Sequence, residues 1–184
     1  MRTREILEWG LTITVLGGGV ALLDGCAAQA QRMAMQQAAA PAPAQFLGQV
    51  AIADVTGGKS ITLTSALAEV GNDALREALR LSLQQARYLS STPDAAQIVL
   101  RAGVVDVEKS SDGVFDAKVI TIIRYVLANK DGGETLFDEL ITTSCTRSFS
   151  DDVLGATRLQ HAEECAVRKS IASFLAELSA SALK

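Results

Sequence analysis

The chain has 184 residues, of which 48% are hydrophobic and only 4% aromatic, and its formal net charge at pH 7 is −4. A mildly acidic chain lacks the positive footprint of a nucleic-acid-binding domain, so nucleic acid is not an expected partner. Because aromatic rings are few, the core of the folded part must be built mainly from Val, Ile, Leu and Ala.

The first 25 residues have the organisation of an export signal. Two arginines near the start precede an apolar run, Trp9 to Leu23, which only Gly and Thr interrupt. A run of about 15 residues is shorter than the roughly 20 that a membrane-spanning helix requires, but it suits the core of a signal peptide. Residues 1–25 are therefore predicted to be a signal peptide.

The end of the apolar run, Leu22-Leu23-Asp24-Gly25-Cys26, resembles the bacterial lipobox, in which a small residue before a cysteine marks cleavage and lipid attachment. The resemblance implies that Cys26 becomes an N-terminus acylated with palmitate-type chains and attached to the membrane. Ala27 stands where an Asp would retain a lipoprotein at the inner membrane, which indicates the outer membrane and its periplasmic side. The alternative is an ordinary signal peptide cut at an Ala-x-Ala site among the alanines that follow.

Low-complexity sequence follows the cysteine. Residues 27–45 consist largely of Ala and Gln and end in a Pro-x-Pro sequence. Because this composition offers no apolar face to bury, residues 26–45 are predicted to form a flexible tether that holds the folded part away from the bilayer. Residues 46–184 remain, a length that suits a single domain.

The periodicity of residues 46–184 predicts an α+β domain in the order β-α-β-β-β-α. One strand and a helix precede three segments of period two, and the Gly-containing turns between these segments are typical of an antiparallel meander. A second helix follows. The predicted strands are 49–55, 98–108, 117–128 and 135–149, and the predicted helices are 64–88, with its well-formed part beginning near 72, and 157–183.

Both predicted helices carry an apolar stripe and need an apolar partner. One face of the meander supplies it, so we expect a two-layer sandwich with a mostly antiparallel sheet and both helices packed on one face. The other face of the sheet would stay partly apolar. Such an open face is a candidate binding surface.

Two cysteines remain once Cys26 is assigned to the anchor. Cys145 and Cys165 form an even pair in an oxidising compartment, where such pairs often form disulfides. A bridge closing a loop of about 20 residues would stabilise the domain by roughly 3 kcal/mol. Cys165 lies off the apolar stripe of its predicted helix, however, so two inert free thiols remain the alternative.

One stretch matches a permissive form of the phosphate-binding loop. Residues 53–60, Ala-Asp-Val-Thr-Gly-Gly-Lys-Ser, have Ala in place of the first Gly. That chemistry needs a helix directly after Lys59-Ser60, whereas an extended-looking run, Ile61 to Thr64, follows here. We therefore expect a Gly-Gly turn with a solvated lysine, and no nucleotide.

No catalytic or metal-binding pattern stands out in the sequence. His161 is the only histidine; it lies beside Glu163 and Glu164, and no further ligands stand at a spacing that suits a metal. Asp151 and Asp152 are adjacent residues of a loop, a poor arrangement for acid and base to converge on a substrate. No serine stands in a Gly-x-Ser-x-Gly elbow. Because none of these patterns is present, no enzyme activity, cofactor or metal is expected.

Four basic residues fall on predicted strands. Two readings are open: a phosphate-binding or acidic-partner-binding surface, and ordinary cross-strand pairing with acidic residues. Pairing is the favoured reading. The cations are Arg101, Lys118, Arg124 and Arg147, and the acidic partners are Asp106, Asp138 and Glu139.

The lipobox, the spacer and the β-α-β-β-β-α order together resemble the small outer-membrane lipoproteins related to the lipopolysaccharide-assembly lipoprotein LptE. The most similar part runs from Thr56-Gly57-Gly58 through Ala78-Leu79-Arg80-Leu81-Ser82-Leu83, with the entry into a strand at 93–100. The resemblance implies a non-enzymatic subunit that binds an envelope protein, such as an outer-membrane β-barrel, and assists lipopolysaccharide assembly. The alternatives are an auxiliary lipoprotein of an envelope lipid transporter and a small envelope enzyme.

Overall fold

The computed structural model describes residues 32–34, 41–58, 70–111, 116–131 and 133–181. Four strands and two helices occur in the predicted order β-α-β-β-β-α, which confirms the α+β fold class. The strands are β1 (Val50–Thr56), β2 (Ile98–Ser111), β3 (Asp116–Asn129) and β4 (Thr135–Ser148), and the helices are α1 (Asn72–Gln85) and α2 (Gly155–Ser181).

The four strands form one sheet in the order β1-β2-β3-β4. The three long strands are antiparallel neighbours, as the Gly-containing turns predicted. β1 instead runs parallel to β2, because the connection between them crosses over through α1. β1 and β4 are therefore the two edge strands of a mixed, mostly antiparallel sheet.

The described part of the first helix begins at Asn72 and ends earlier than the sequence pattern indicated. The predicted start near 64 lies outside the described residues. At the other end, Arg87 adopts a left-handed conformation with φ 66. The N–H of Arg87 then donates to the carbonyl of Gln84 (3.1 Å) and that of Tyr88 to the carbonyl of Leu83 (2.9 Å), which is a Schellman motif. Because glycine is the usual residue at this position, the sequence did not signal the end.

Both helices pack on the same face of the sheet, as predicted. Alternate residues of β3 are buried on that face. Tyr125 stacks on Phe174 of α2 with ring centroids 4.4 Å apart. The rings of Phe174 and Phe137 of β4 meet in a T-shaped arrangement, with centroids 5.6 Å apart. One apolar core joins both helices to the strands, with Leu75, Leu79 and Leu83 from α1 and Val167, Ile171, Phe174 and Leu178 from α2.

A short piece of the predicted tether lies against this domain. Met33 is fully buried and belongs to the main core. The guanidinium of Arg32 contacts the carboxylate of Glu164 on α2 at 2.6 Å, and Arg168 donates to the carbonyl of Arg32 at 2.9 Å. Ala42 also belongs to the core, and its N–H donates to the carbonyl of Ala86 at 2.9 Å. Residues 32–34 and Ala42 are thus part of the packed structure, although the predicted domain began at residue 46. The rest of the predicted tether up to residue 40 lies outside the described residues.

Cys145 of β4 and Cys165 of α2 form a disulfide, with their Cα atoms 5.8 Å apart. Cys165 lies off the stripe that faces the main core, as the sequence pattern indicated. It nevertheless faces β4, within a smaller apolar cluster that also contains Val119, Ala162 and Ala166. The first half of α2 therefore has its own buried contact with the end of the sheet.

We expect that replacing both cysteines with alanine lowers the free energy of unfolding by about 3 kcal/mol, because the bridge closes a loop of 20 residues and restricts the unfolded chain. Urea unfolding measures this loss. Dithiothreitol should destabilise the wild-type protein similarly and leave the double variant unchanged. A wild-type protein insensitive to reductant would contradict the bridge.

The two tyrosines of the chain, Tyr88 and Tyr125, are both buried. Burial raises the pKa of each phenol, partly offset at Tyr125 by the hydrogen bond with the Ser170 hydroxyl at 3.0 Å. The folded protein therefore keeps protons that the unfolded chain releases above about pH 10, so stability falls as the pH rises beyond that value.

We predict that tyrosinate absorbance appears above pH 10 only as the protein unfolds, whereas in concentrated urea it appears near pH 10. Tyr125→Phe should make the alkaline loss of stability less steep, because one of the two buried phenols is then missing. Urea unfolding at several alkaline pH values measures the slope. Normal titration of both tyrosines in the folded protein would refute the prediction.

Candidate binding surfaces

The sheet face opposite the helices is partly apolar, as predicted. On β3, Ile120, Ile122 and Val126 are only half-buried. Leu140 of β4 is 56% exposed on the same face. Between these side chains, the guanidinium of Arg124 forms a bidentate ion pair with the carboxylate of Asp138, with N···O distances of 2.7 and 2.6 Å. The face therefore offers apolar area divided by an ion pair.

The four predicted strand cations do not form one free positive surface. Register places Arg101, Lys118 and Arg124 on the outer face, whereas Arg147 is the cross-strand partner of buried Ala117 and so lies on the helix side. Arg124 pairs with Asp138, one of the acidic partners that the sequence suggested, and its hydrogen bonds hold the pKa of that carboxyl below its usual value. Arg101 approaches Asp54, which was not among the suggested partners, at 4.0 Å. Arg124 and Arg101 each lie near an aspartate of a neighbouring strand, which agrees with cross-strand charge pairing.

A groove of about 420 Å³ lies between the edge strand β1 and α1. Its apolar residues come from β1 and from the segment after α1, while the exposed side of α1 supplies charged residues. Arg80 binds Glu77 through two contacts of 2.7 Å, which hold the pKa of Glu77 low, and Arg76 donates to the carbonyl of Ala53 at 2.9 Å. The lining residues are Ala51, Ile52, Leu89, Pro93, Asp73, Arg76, Glu77, Arg80, Ser90 and Ser91.

The groove runs along a strand edge that is paired at one residue only. Val50 donates to the carbonyl of Tyr88 (3.0 Å) and accepts from the N–H of Ser90 (2.9 Å), which forms a single parallel bridge with Leu89. Beyond Val50, no strand of the described part of the chain pairs with β1 on this side. A strand edge beside an apolar floor and a charged wall suits an extended polypeptide, which can add to the sheet.

The glycines of the phosphate-loop match serve a structural purpose. Gly57 has φ 79, and a Cβ atom there would lie 2.0 Å from the carbonyl oxygen of Val104. The N–H of Gly58 donates to the side chain of Asn72 at 2.9 Å, so it is already occupied. Residues 59–69, where a phosphate-binding site would need its helix to begin, lie outside the described residues.

The charged residues around His161 point in different directions. His161 contacts Asp152 at 2.6 Å. Glu163 and Glu164 instead turn inward and are almost fully buried, where they contact Lys109 (2.7 Å) and Arg32 (2.6 Å). Within the described ranges, no group of three or more His, Cys, Asp or Glu side chains is arranged to hold a metal ion. The burial of these two carboxylates was not predicted, because their cationic partners are distant along the chain.

Cys26, the predicted lipid-attachment residue, lies outside the described residues. None of the described helices has the length and apolar content needed to cross a bilayer. The nearest described residue to Cys26 is Arg32, which is already bound to α2. The described domain therefore begins only six residues after the predicted anchor.

Comparison with known proteins gives a fold but no family. No family model matches the sequence, and no curated protein matches it significantly. Among solved structures, a Caulobacter crescentus CB15 protein with a provisional lipoprotein name is 14% identical, with a TM-score of 0.51 over 76% of this chain and 94% of that one. A Xanthomonas campestris protein of family DUF330 is 10% identical, with a TM-score of 0.52 over 78% and 92% of the two chains. At such identities, the similarity shows a shared fold alone.

Proposed function

We propose that this chain is a lipid-anchored, periplasm-facing envelope lipoprotein that binds a partner protein and is not an enzyme. The lipobox-like sequence at Cys26 supports the anchor. The fold shared with a protein that bears a lipoprotein name agrees with this assignment. Ala27, which occupies the position where an Asp would retain a lipoprotein at the inner membrane, supports attachment at the outer membrane.

The observation that carries the binding role is the groove at the edge of β1. Its floor is apolar, its wall is charged, and its strand edge forms a main-chain bridge with the described chain only at Val50, while the side chain of Arg76 donates to the carbonyl of Ala53. Main-chain hydrogen bonds to β1 would supply affinity, and the side chains of α1 would select the partner's sequence. The occupant that fits these features is an extended segment of another protein.

Within this proposal, outer-membrane assembly, and lipopolysaccharide assembly in particular, is the process we assign. The order of elements and the stretch from Thr56 to Leu83 support it through their resemblance to LptE-like lipoproteins. The partner would then be an envelope protein such as an outer-membrane β-barrel. Capture of a lipid-transport complex instead would support the alternative role of a transporter lipoprotein.

The anchor is tested by metabolic labelling with a fatty-acid probe. We expect the wild-type protein to incorporate the probe and to partition with membranes, and Cys26→Ser to lose both properties, because acylation requires the thiol. Cys145→Ser is a matched control, since that cysteine lies in a disulfide within the domain. Incorporation that persists in Cys26→Ser would refute attachment at this residue.

The groove is tested by a photo-crosslinking residue placed at Ser91, which is exposed and lines it. We expect a discrete crosslinked envelope protein in intact cells. Ser90→Trp should strongly reduce that product, because Ser90 lines the groove and the ring would occupy the space of the bound segment. An equal product from a probe at Thr142, on the outer face of the sheet, would argue against the groove.

The identity of the crosslinked protein distinguishes the two candidate roles. Recovery of a β-barrel or another assembly protein supports a role in outer-membrane assembly, and recovery of a transporter subunit supports the role of a transporter lipoprotein. A Thr142→Trp variant should leave the Ser91 product unchanged, because Thr142 is an exposed strand residue away from β1. Loss of the product in this control would show that the effect of Trp is not specific to the groove.

A further inference from the structure

An exposed apolar tip lies between β4 and α2. Its three large side chains are Phe149, Val153 and Leu154, which are 49%, 72% and 70% exposed. They fall within six consecutive residues, at the end of the domain where α2 begins. Clustered exposed apolar side chains are a feature of surfaces that contact another molecule or a membrane.

The tip is held in shape by polar contacts within the loop. The carboxylate of Asp151 accepts from the N–H of Ser148 at 2.9 Å. The side chain of Arg158 donates to the carbonyls of Asp152 (2.7 Å) and Val153 (3.0 Å), and its guanidinium lies 5.5 Å from the centre of the Phe149 ring. The loop thus satisfies these polar groups internally while its apolar side chains point outward.

The position of the N-terminal segment decides what the tip contacts. Arg32 is bound to Glu164, and only five residues separate it from Cys26. The six Cα-to-Cα steps from Arg32 to Cys26 span about 20 Å when the chain is extended. Along α2, Glu164 is nine residues from Gly155, which corresponds to about 14 Å. The link from Arg32 is therefore long enough for an acylated Cys26 to lie at the level of the tip.

We infer that the apolar tip formed by Phe149, Val153 and Leu154 inserts into the interface of the same membrane that carries the acylated Cys26. The inference rests on the anchor of the proposed function. The loop carries two carboxylates, Asp151 and Asp152, beside the cation Arg158. Apolar contact, and not attraction to anionic lipid, therefore drives insertion. The tip and the anchor together give the domain a defined orientation on the bilayer.

The test uses the lipidated mature protein, which begins at Cys26, in phosphatidylcholine vesicles. Leu154→Cys carries an environment-sensitive fluorophore, and Glu177→Cys carries the same fluorophore at an exposed site about 33 Å along α2. We expect blue-shifted emission and quenching by nitroxide-bearing lipids at position 154 but not at position 177. Adding phosphatidylglycerol should leave the quenching unchanged, because the contact is apolar.

A second variant measures the contribution of the neighbouring side chain. Val153→Ser, combined with the label at 154, should weaken the quenching severalfold, since Val153 is exposed and its replacement leaves the core intact. Circular dichroism checks that the fold is retained. Equal quenching with and without Val153, or equal quenching at 154 and 177, would overturn insertion of the tip.

The outcomes separate this inference from the proposed anchor. Protein that stays with the vesicles but shows no lipid quenching at 154 would overturn the tip and leave the anchor standing. Protein that does not stay with the vesicles would overturn both. A blue shift without lipid quenching would show that a second copy or another protein covers the tip, which also overturns the inference.

Discussion

The packing of α2 against β3 and β4 is the contact on which the rest of the domain depends. Its centre is the stack of Tyr125 on Phe174, with ring centroids 4.4 Å apart, supported by the bond between the Tyr125 and Ser170 hydroxyls. Towards the start of the helix, the disulfide from Cys145 to Cys165 fixes the same layer covalently. A chain with so few aromatic rings places two of its five phenylalanines and one of its two tyrosines in this contact. Burial of large rings contributes more per residue than burial of Val or Ala, so the helix layer is secured where the rings meet.

Because α2 is fixed in this way, it can organise charged partners that would otherwise be costly to bury. Glu163 meets Lys109 of β2, and Glu164 meets Arg32 of the N-terminal segment. Removing a carboxylate from water costs free energy unless a cation and further hydrogen bonds compensate it, so these contacts are position-specific. The contact between Glu164 and Arg32 attaches the N-terminal segment to α2. Burial of Met33 strengthens the same attachment.

The sequence predicted the order of elements because its signals are local. Period-two alternation marks the three long strands, and Gly-containing turns mark the connections between them. The features that were not predicted depend on residues far apart in the chain or on an unusual residue at a helix end. The end of α1 is marked by a left-handed Arg87 instead of a glycine. Met33 packs into the core from within the low-complexity segment, and Glu164 turns inward to a cation 132 residues away. The groove was missed for the same reason, since it exists only because β1 is a parallel edge strand. The partly apolar outer face was predictable, because alternation along β3 places apolar residues on both sides.

The two proposed contacts lie at opposite edges of the sheet. The groove follows β1, whereas the apolar tip extends from β4, and two further strands separate these edges. A domain oriented on the bilayer by Cys26 and the tip would therefore present the groove on the side away from β4. With Cys26 acylated as proposed, the short link to Arg32 would restrict rotation of the domain more than a tether of twenty residues would, because the accessible volume grows with linker length. An orientation that presents the groove to a partner in the same membrane would raise the effective concentration of the groove, so a short link would favour binding.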